Sequence, residues 1–161
     1  MVSRPANNLN PIAARRHEWQ EKRSSPPREI ASVAKSASIL VVEDAGGQSS
    51  LSTTLRTLGF IAFHAETVAE AMKLLECEAI DAIAVDVTLS DPDGSKHSGL
   101  RLLTDLRATG NHAHIPVLVL TVTLSSDDDQ AFARKHGAEV HYKPQPYYEL
   151  ATHLNWLLDR K

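Results

Sequence analysis

The sequence predicts an α/β domain in which one parallel sheet is covered by helices on both faces. Two observations carry this. Five short apolar runs alternate strictly with amphipathic helical stripes along residues 38–160, the pattern of repeated strand–helix units. The clearest runs, Ile39-Leu40-Val41-Val42 and Ala82-Ile83-Ala84-Val85, are apolar at every position, so these strands must be buried on both faces, as inside a parallel sheet. With right-handed crossovers, five such units place helices on both sides.

The elements follow in order. The first run ends at Glu43-Asp44, with Gly46-Gly47 beyond it. Leu51, Leu55 and Leu58 recur at i, i+4 and i+7, one helical stripe closed by Gly59. Phe60 to Phe63 is the second run. Thr67 and Glu70 form a capping box that opens a helix with Val68, Met72 and Leu75 on one side. The third strand ends at Asp86, and a polar stretch from Thr88 to Ser98 follows. Leu100, Leu103 and Leu106 mark a third helix that stops near Gly110. Pro116 to Leu120 is the fourth strand, ending at Thr121. Ser125 or Ser126, with acids at 127–129, opens a fourth helix that runs through Phe132 and closes at Gly137. Glu139 to Tyr142 is a weaker fifth strand ending at Lys143-Pro144. Leu150, Leu154, Leu157 and Leu158 are the stripe of a final helix.

Composition bounds the function. The 161 residues suit one compact domain. An apolar share of 42% and a charged share of 23% are those of an ordinary soluble globular protein. No run approaches the roughly 20 apolar residues of a membrane span, and the polar, proline-bearing start does not resemble a secretory signal. Cys77 stands alone, so no internal disulfide forms and a reducing cytoplasm is the expected compartment. The net charge of −3 hides an asymmetry: residues 1–37 sum to +4 and residues 38–161 to −7. Residues 1–37, with Pro5, Pro11, Pro26 and Pro27, read as a flexible basic tail, and residues 38–161 as the folded domain. A basic arm of this kind can bind nucleic acid or acidic lipid, or be only a solvated leader. No nucleic-acid or membrane contact is expected from the folded domain.

The chemistry gathers at one rim. In open α/β sheets, ligands bind beyond the carboxyl ends of the strands. The residues there are Glu43 and Asp44 after the first strand, Asp86 after the third, Thr121 after the fourth and Lys143 after the fifth. Three close carboxylates repel one another. A hard divalent cation relieves that repulsion, and Mg²⁺ (or Mn²⁺) suits a site of one or two carboxylates plus phosphate and water. Asp86 can act as a nucleophile on phosphorus and form an acyl phosphate. The metal and Lys143 then balance the phosphoryl charge, and Thr121 donates a hydrogen bond to a phosphoryl oxygen.

These residues resemble a known family. Ile39-Leu40-Val41-Val42-Glu43-Asp44 is similar to the first strand and acidic pair of response-regulator receiver domains. Asp81-Ala82-Ile83-Ala84-Val85-Asp86 is similar to their phospho-acceptor strand, and Pro116-Val117-Leu118-Val119-Leu120-Thr121 to the strand carrying their switch hydroxyl. Lys143-Pro144, followed by Glu149-Leu150, resembles their invariant lysine and the start of their last helix. The resemblance covers about residues 38–160. It implies a flavodoxin-like fold of strand order 2-1-3-4-5. It implies phosphorylation of Asp86 from a histidine of a sensor kinase or phosphotransfer protein. It implies direct binding of Mg²⁺ by Asp44, Asp86 and the backbone carbonyl of Thr88, with Glu43 acting mainly through water. Such a domain is a phospho-acceptor that assists its own phosphorylation and dephosphorylation, not an enzyme with a separate substrate.

The sequence also departs from the family. Leu89-Ser90 replaces the usual Met-Pro, Ser95 to Ser98 lengthen the loop after Asp93-Gly94, and Val122 is bulkier than the usual Ala or Gly. Val140 falls where the switch aromatic is expected, the segment from Gly137 to Lys143 is one residue short, and Tyr142 is a candidate substitute. These departures favour a second reading, a phosphate-independent interaction module. A third reading is an aspartyl-phosphate hydrolase, since Asp86-x-Thr88 resembles the nucleophile motif of haloacid-dehalogenase-like enzymes. Those enzymes, however, place the nucleophile after the first strand. No G-x-G-x-x-G follows the first strand, which argues against a dinucleotide site.

Three further features are expected to matter less or differently. His112-x-His114 should sit in the loop before the fourth strand, and His17 lacks the helical setting of a phospho-accepting histidine. Trp156 lies off the final leucine stripe, a candidate contact for a partner or for a second copy in a homodimer. The last helix ends next to Lys161, so the expectation is a receiver without its own output module, signalling to a downstream protein by contact, passing phosphate onward, or cut from a larger protein.

Overall fold

A computed structural model describes residues 36–44, 50–89, 92, 94, 98–121, 127–143 and 147–160. All of them belong to one compact unit. The expected basic tail, His17, Gly46-Gly47, Ser90, Asp93, Val122, Ser125, Ser126 and Pro144 lie outside the described residues.

Five strands and five helices alternate: β1 (Ser38–Val42), α1 (Ser50–Thr57), β2 (Ile61–Ala65), α2 (Val68–Cys77), β3 (Ala82–Asp86), α3 (Ser98–Ala108), β4 (Val117–Thr121), α4 (Asp127–Lys135), β5 (Ala138–Tyr142) and α5 (Tyr147–Leu158). The strands form one sheet in the order β2-β1-β3-β4-β5, and every pairing is parallel. This is the doubly wound, flavodoxin-like order expected.

Side chains alternate across each strand, and the two cores follow. Leu40, Val42, Ile83, Val85, Val117 and Val119 pack with Leu75, Leu103 and Leu106 on the face of α2 and α3. Ile39, Val41, Ala82, Ala84, Leu118 and Leu120 pack with Leu51, Leu55, Leu150 and Leu154 on the face of α1 and α5. Both clusters run to the strand ends, so those ends are fixed by burial.

Local chemistry sets the helix boundaries. Thr67 caps α2: its side chain accepts from the Glu70 N–H at 3.1 Å. The Glu70 carboxylate accepts from the Glu66 N–H at 2.9 Å, one residue before the partner a standard capping box would use. The α1 stripe is shorter than expected. Leu51 and Leu55 are buried, but Leu58 is 47% exposed. The helix ends first, in a Schellman turn: Gly59 at φ 92° donates to the Arg56 carbonyl, and Phe60 donates to that of Leu55. That turn swings Leu58 outward and brings Phe60 back against the core. Helix α3 begins at Ser98, at the end of the polar stretch expected from Thr88 to Ser98.

Thr67→Ala should cost about 1 kcal/mol of stability by removing the one side-chain cap of α2; urea unfolding followed by circular dichroism measures it.

Candidate functional site

The sheet register brings the strand ends to one level. Val42 pairs with Val85, Asp86 with Leu120 and Thr121 with Tyr142. The ladder continues past the strands, with Glu43 N–H on the Ala65 carbonyl, Val87 N–H on that of Leu120 and Lys143 N–H on that of Thr121 at 2.6 Å. Four strands therefore deliver Glu43, Asp86, Thr121 and Lys143 to a common rim.

Asp86 is the centre of the bonds there. Its side chain is 17% exposed, and its Oδ2 accepts from the Lys143 Nζ at 2.7 Å. Its Oδ1 accepts twice from Thr88, from the backbone N–H at 3.0 Å and from the hydroxyl at 2.9 Å. The carboxylate is thus held in one orientation by three donors on both oxygens. A hydrogen-bonded ion pair of this length is among the stronger polar contacts of a protein.

Glu43 is half-buried and Asp44 exposed. The Glu43 carbonyl is met by the His64 Nε2 at 3.2 Å, which ties the end of β1 to β2. Glu43 and Asp44 stand beside Asp86 in the sheet order, but the side chains do not close into a cage. Among the described residues, no three His, Cys, Asp or Glu groups come together as metal ligands. Mg²⁺ does not require such a cage, since it takes one or two carboxylates and keeps several waters. The donors on this rim, carboxylates and the Thr88 carbonyl, are the hard oxygens that suit that ion.

Thr121 is fully buried at the end of β4. Val140, the residue in place of an aromatic, is partly buried against the core on the α2–α3 face. Tyr142 is 41% exposed.

Sequence reasoning missed Gly99. This buried residue opens α3 against the site: a Cβ there would run into the Asp86 carbonyl oxygen, 2.9 Å from the carbonyl carbon and 3.1 Å from the Val87 Cα. The signal was a glycine directly ahead of the Leu100, Leu103, Leu106 stripe, a position where only a bare backbone lets helix and strand end touch. Arg107 was missed too. Its guanidinium donates to the His136 carbonyl at 2.8 Å and the Ile115 carbonyl at 3.1 Å, fastening the end of α3 to the segments beside β4 and β5. His112 and His114 sit in the turn before β4, as expected, and join no metal-ligand cluster among the described residues. Trp156 is 39% exposed, on the outer side of α5.

This arrangement is that of a carboxylate at the end of the third strand of a doubly wound sheet, faced by a lysine from just after the fifth. A family model of the response regulator receiver domain matches residues 39–155. The chain belongs to that family: it is a receiver domain of the two-component response regulators. Solved structures agree. The receiver domain of a signal transduction histidine kinase from Syntrophus aciditrophicus is 29% identical, with TM-score 0.62 over 77% of this chain and 91% of that one. The CheY-like receiver from Methanospirillum hungatei is 22% identical, with TM-score 0.67 over 78% and 95%. The chemotaxis response regulator CheY4 of Vibrio cholerae is 23% identical, with TM-score 0.64 over 76% and 98%. No curated protein matches the sequence. No helix among the described residues is long and apolar enough to cross a membrane.

Gly99→Ala should destabilise the domain by roughly 2 kcal/mol, because the neighbour that must yield is the Asp86 backbone; Gly110→Ala, with open space around it, is the control in the same denaturation experiment.

Proposed function

We propose that Asp86 accepts a phosphoryl group from a phosphohistidine of a sensor kinase or phosphotransfer protein, and that the domain signals by the conformational change that follows. The observation that carries this reading is the 2.7 Å contact between the Lys143 ammonium and the Asp86 carboxylate. A lysine brought from another strand to a partly exposed carboxylate, with oxygen donors on the neighbouring strand, is arranged for phosphoryl transfer.

An Asp86 carboxylate oxygen forms the new bond to phosphorus while the donor's P–N bond breaks, and the departing imidazole nitrogen takes up a proton. Asp44, Asp86 and the Thr88 carbonyl would hold Mg²⁺ (or Mn²⁺), with Glu43 acting through water. That ion would supply positive charge to the phosphoryl oxygens. Lys143 exchanges its contact with the free carboxylate for one with a phosphoryl oxygen. Thr88 must release Oδ1 if that oxygen is the nucleophile. A hydrogen bond from Thr121 to the phosphoryl group would form only in the phosphorylated state, and would couple the chemistry to the end of β4. The domain acts as a phospho-acceptor that assists its own turnover, in the cytoplasm, and a downstream protein reads it. Trp156 on α5 is the anchor proposed for that protein or for a second copy.

A second reading, a phosphate-independent interaction module, draws on Val140: with no aromatic there, the usual partner of the moving hydroxyl is missing.

Acetyl phosphate with Mg²⁺ should add the mass of one phosphoryl group to the wild type and none to Asp86→Ala, as read by intact mass spectrometry. Lys143→Ala should slow labelling by about a hundredfold or more, the scale for removing one charge-stabilising donor. EDTA should abolish it. An unlabelled wild type, or one whose Mg²⁺ titration reports no binding near Asp86, would favour the interaction module.

A further inference from the structure

Two imidazoles are packed where β5 meets α5, level with Asp86 and two strands over from it. His141 lies on β5 opposite Leu120, and His153 on α5 between Leu150 and Leu157. Each is only 7% exposed. Their ring centres are 5.8 Å apart with the planes at 54°. His153 in turn meets Trp156 edge-on at 5.7 Å. The Arg160 guanidinium lies 4.4 Å from the Trp156 ring centre and reaches back to Glu139 of β5 at 3.9 Å. A continuous row of rings thus joins the edge strand to the outer face of the last helix. Among the described residues, no third ligand group completes a metal site at this pair.

The surroundings disfavour charge on either ring. β4 contributes Leu118 and Leu120 on this face, and α5 contributes Leu150, Leu154 and Leu157. The charged groups nearby are Glu139 of β5 and Lys143 just after it, and Glu149 of α5 and Arg160 just after it. Lys143 is engaged with Asp86 and Glu139 with Arg160. Glu149 pulls the His141 pKa upward, but burial outweighs it and the value is lowered. For His153, burial comes first and His141 second, and together they push it down to about 4.

We propose that His141 and His153 form a proton-operated latch, which holds α5 on β5 while both rings are neutral and frees the helix when either ring is charged. The latch is independent of whether Asp86 takes phosphate. Its direction follows from linkage. In the freed state a histidine titrates at its ordinary value of 6.5, and in the closed state His153 titrates near 4. Closure is therefore fully favoured above pH 6.5 and is lost progressively as pH falls from there toward 4. By about pH 5.5, His153 alone should raise the freed fraction about tenfold.

Hydrogen exchange of the α5 amides, corrected for the intrinsic pH dependence of exchange, tests this, with α2 as internal reference. Between about pH 7.5 and pH 5.5, α5 protection should drop about tenfold while α2 holds. His153→Phe keeps a ring against Trp156 without a proton to bind, and should remove most of the pH dependence of α5, leaving the part that His141 supplies; His141→Gln should reduce it by a smaller amount. Two-dimensional NMR of the wild-type imidazoles decides the matter even if the variants fold poorly, with both expected to titrate below 6.5. Ordinary titration of both rings would overturn the latch. So would an equal loss of protection in α2, an unchanged response in His153→Phe, or α5 amides already unprotected at neutral pH.

Discussion

The ion pair between Lys143 and Asp86 sets the terms for the rest of the domain. The two residues sit on strands that are not neighbours, because β4 runs between β3 and β5. At about 4.8 Å per strand, their backbones are separated by roughly 10 Å across the sheet. A lysine can span that gap only over the end of the intervening strand, and only if that end leaves room. Thr121 provides it by being small and fully buried. The parallel order, the equal strand lengths and the hydrogen bond from Lys143 N–H to the Thr121 carbonyl all serve one geometric outcome: a cation delivered across one strand to a carboxylate on the next.

That outcome depends on apolar packing at a distance. The carboxylate is held by its own chain through Thr88 and by Lys143, but the strand end beneath it is held by Val85, Val87 and Leu89, all buried, and by the bare backbone of Gly99. The glycine lets α3 start against the carbonyl of Asp86 itself. A side chain there would displace Asp86 by moving its peptide. The second helix–sheet face does the corresponding work for Lys143, since Leu150 and Leu154 press α5 on the strand face that carries His141.

The legible and illegible parts of the sequence divide along a physical line. The strands were legible because burial on both faces leaves no polar position in a run such as Ile39–Val42, and each run's first charged or hydroxyl residue marks the rim. The helices were legible from leucines at helical spacing, and α2 also from Thr67 and Glu70. Leu58 misled because its spacing continues the α1 stripe, while the glycine after it ends the helix; turn chemistry prevailed over periodicity. Gly99 and Arg107 were illegible as site and brace because their roles lie in backbone contacts, which side-chain patterns do not encode. The imidazole pair had a readable trace: His153 falls three residues after Leu150 and four before Leu157, on the buried stripe, so a core histidine was written into the helix. Its partner on β5 could be found only once the sheet was assembled.

Strand β5 is where these constraints meet. It lies at the sheet edge, its burial is broken by half-exposed positions, and it carries both the cation of the rim and one ring of the latch. An edge strand has neighbours on one side only, so its position depends on what packs across its faces. On one face that is α5, through His141 and His153. On the other it is Val140, partly buried against the core, without the ring that would report a buried hydroxyl's movement. The opposite face carries His141, and the row of rings runs from there through His153 to Trp156. In a sheet whose centre is fixed by wholly buried strands, the freedom to change shape is left to the edge, and the side chains of β5 determine on which face that freedom is felt.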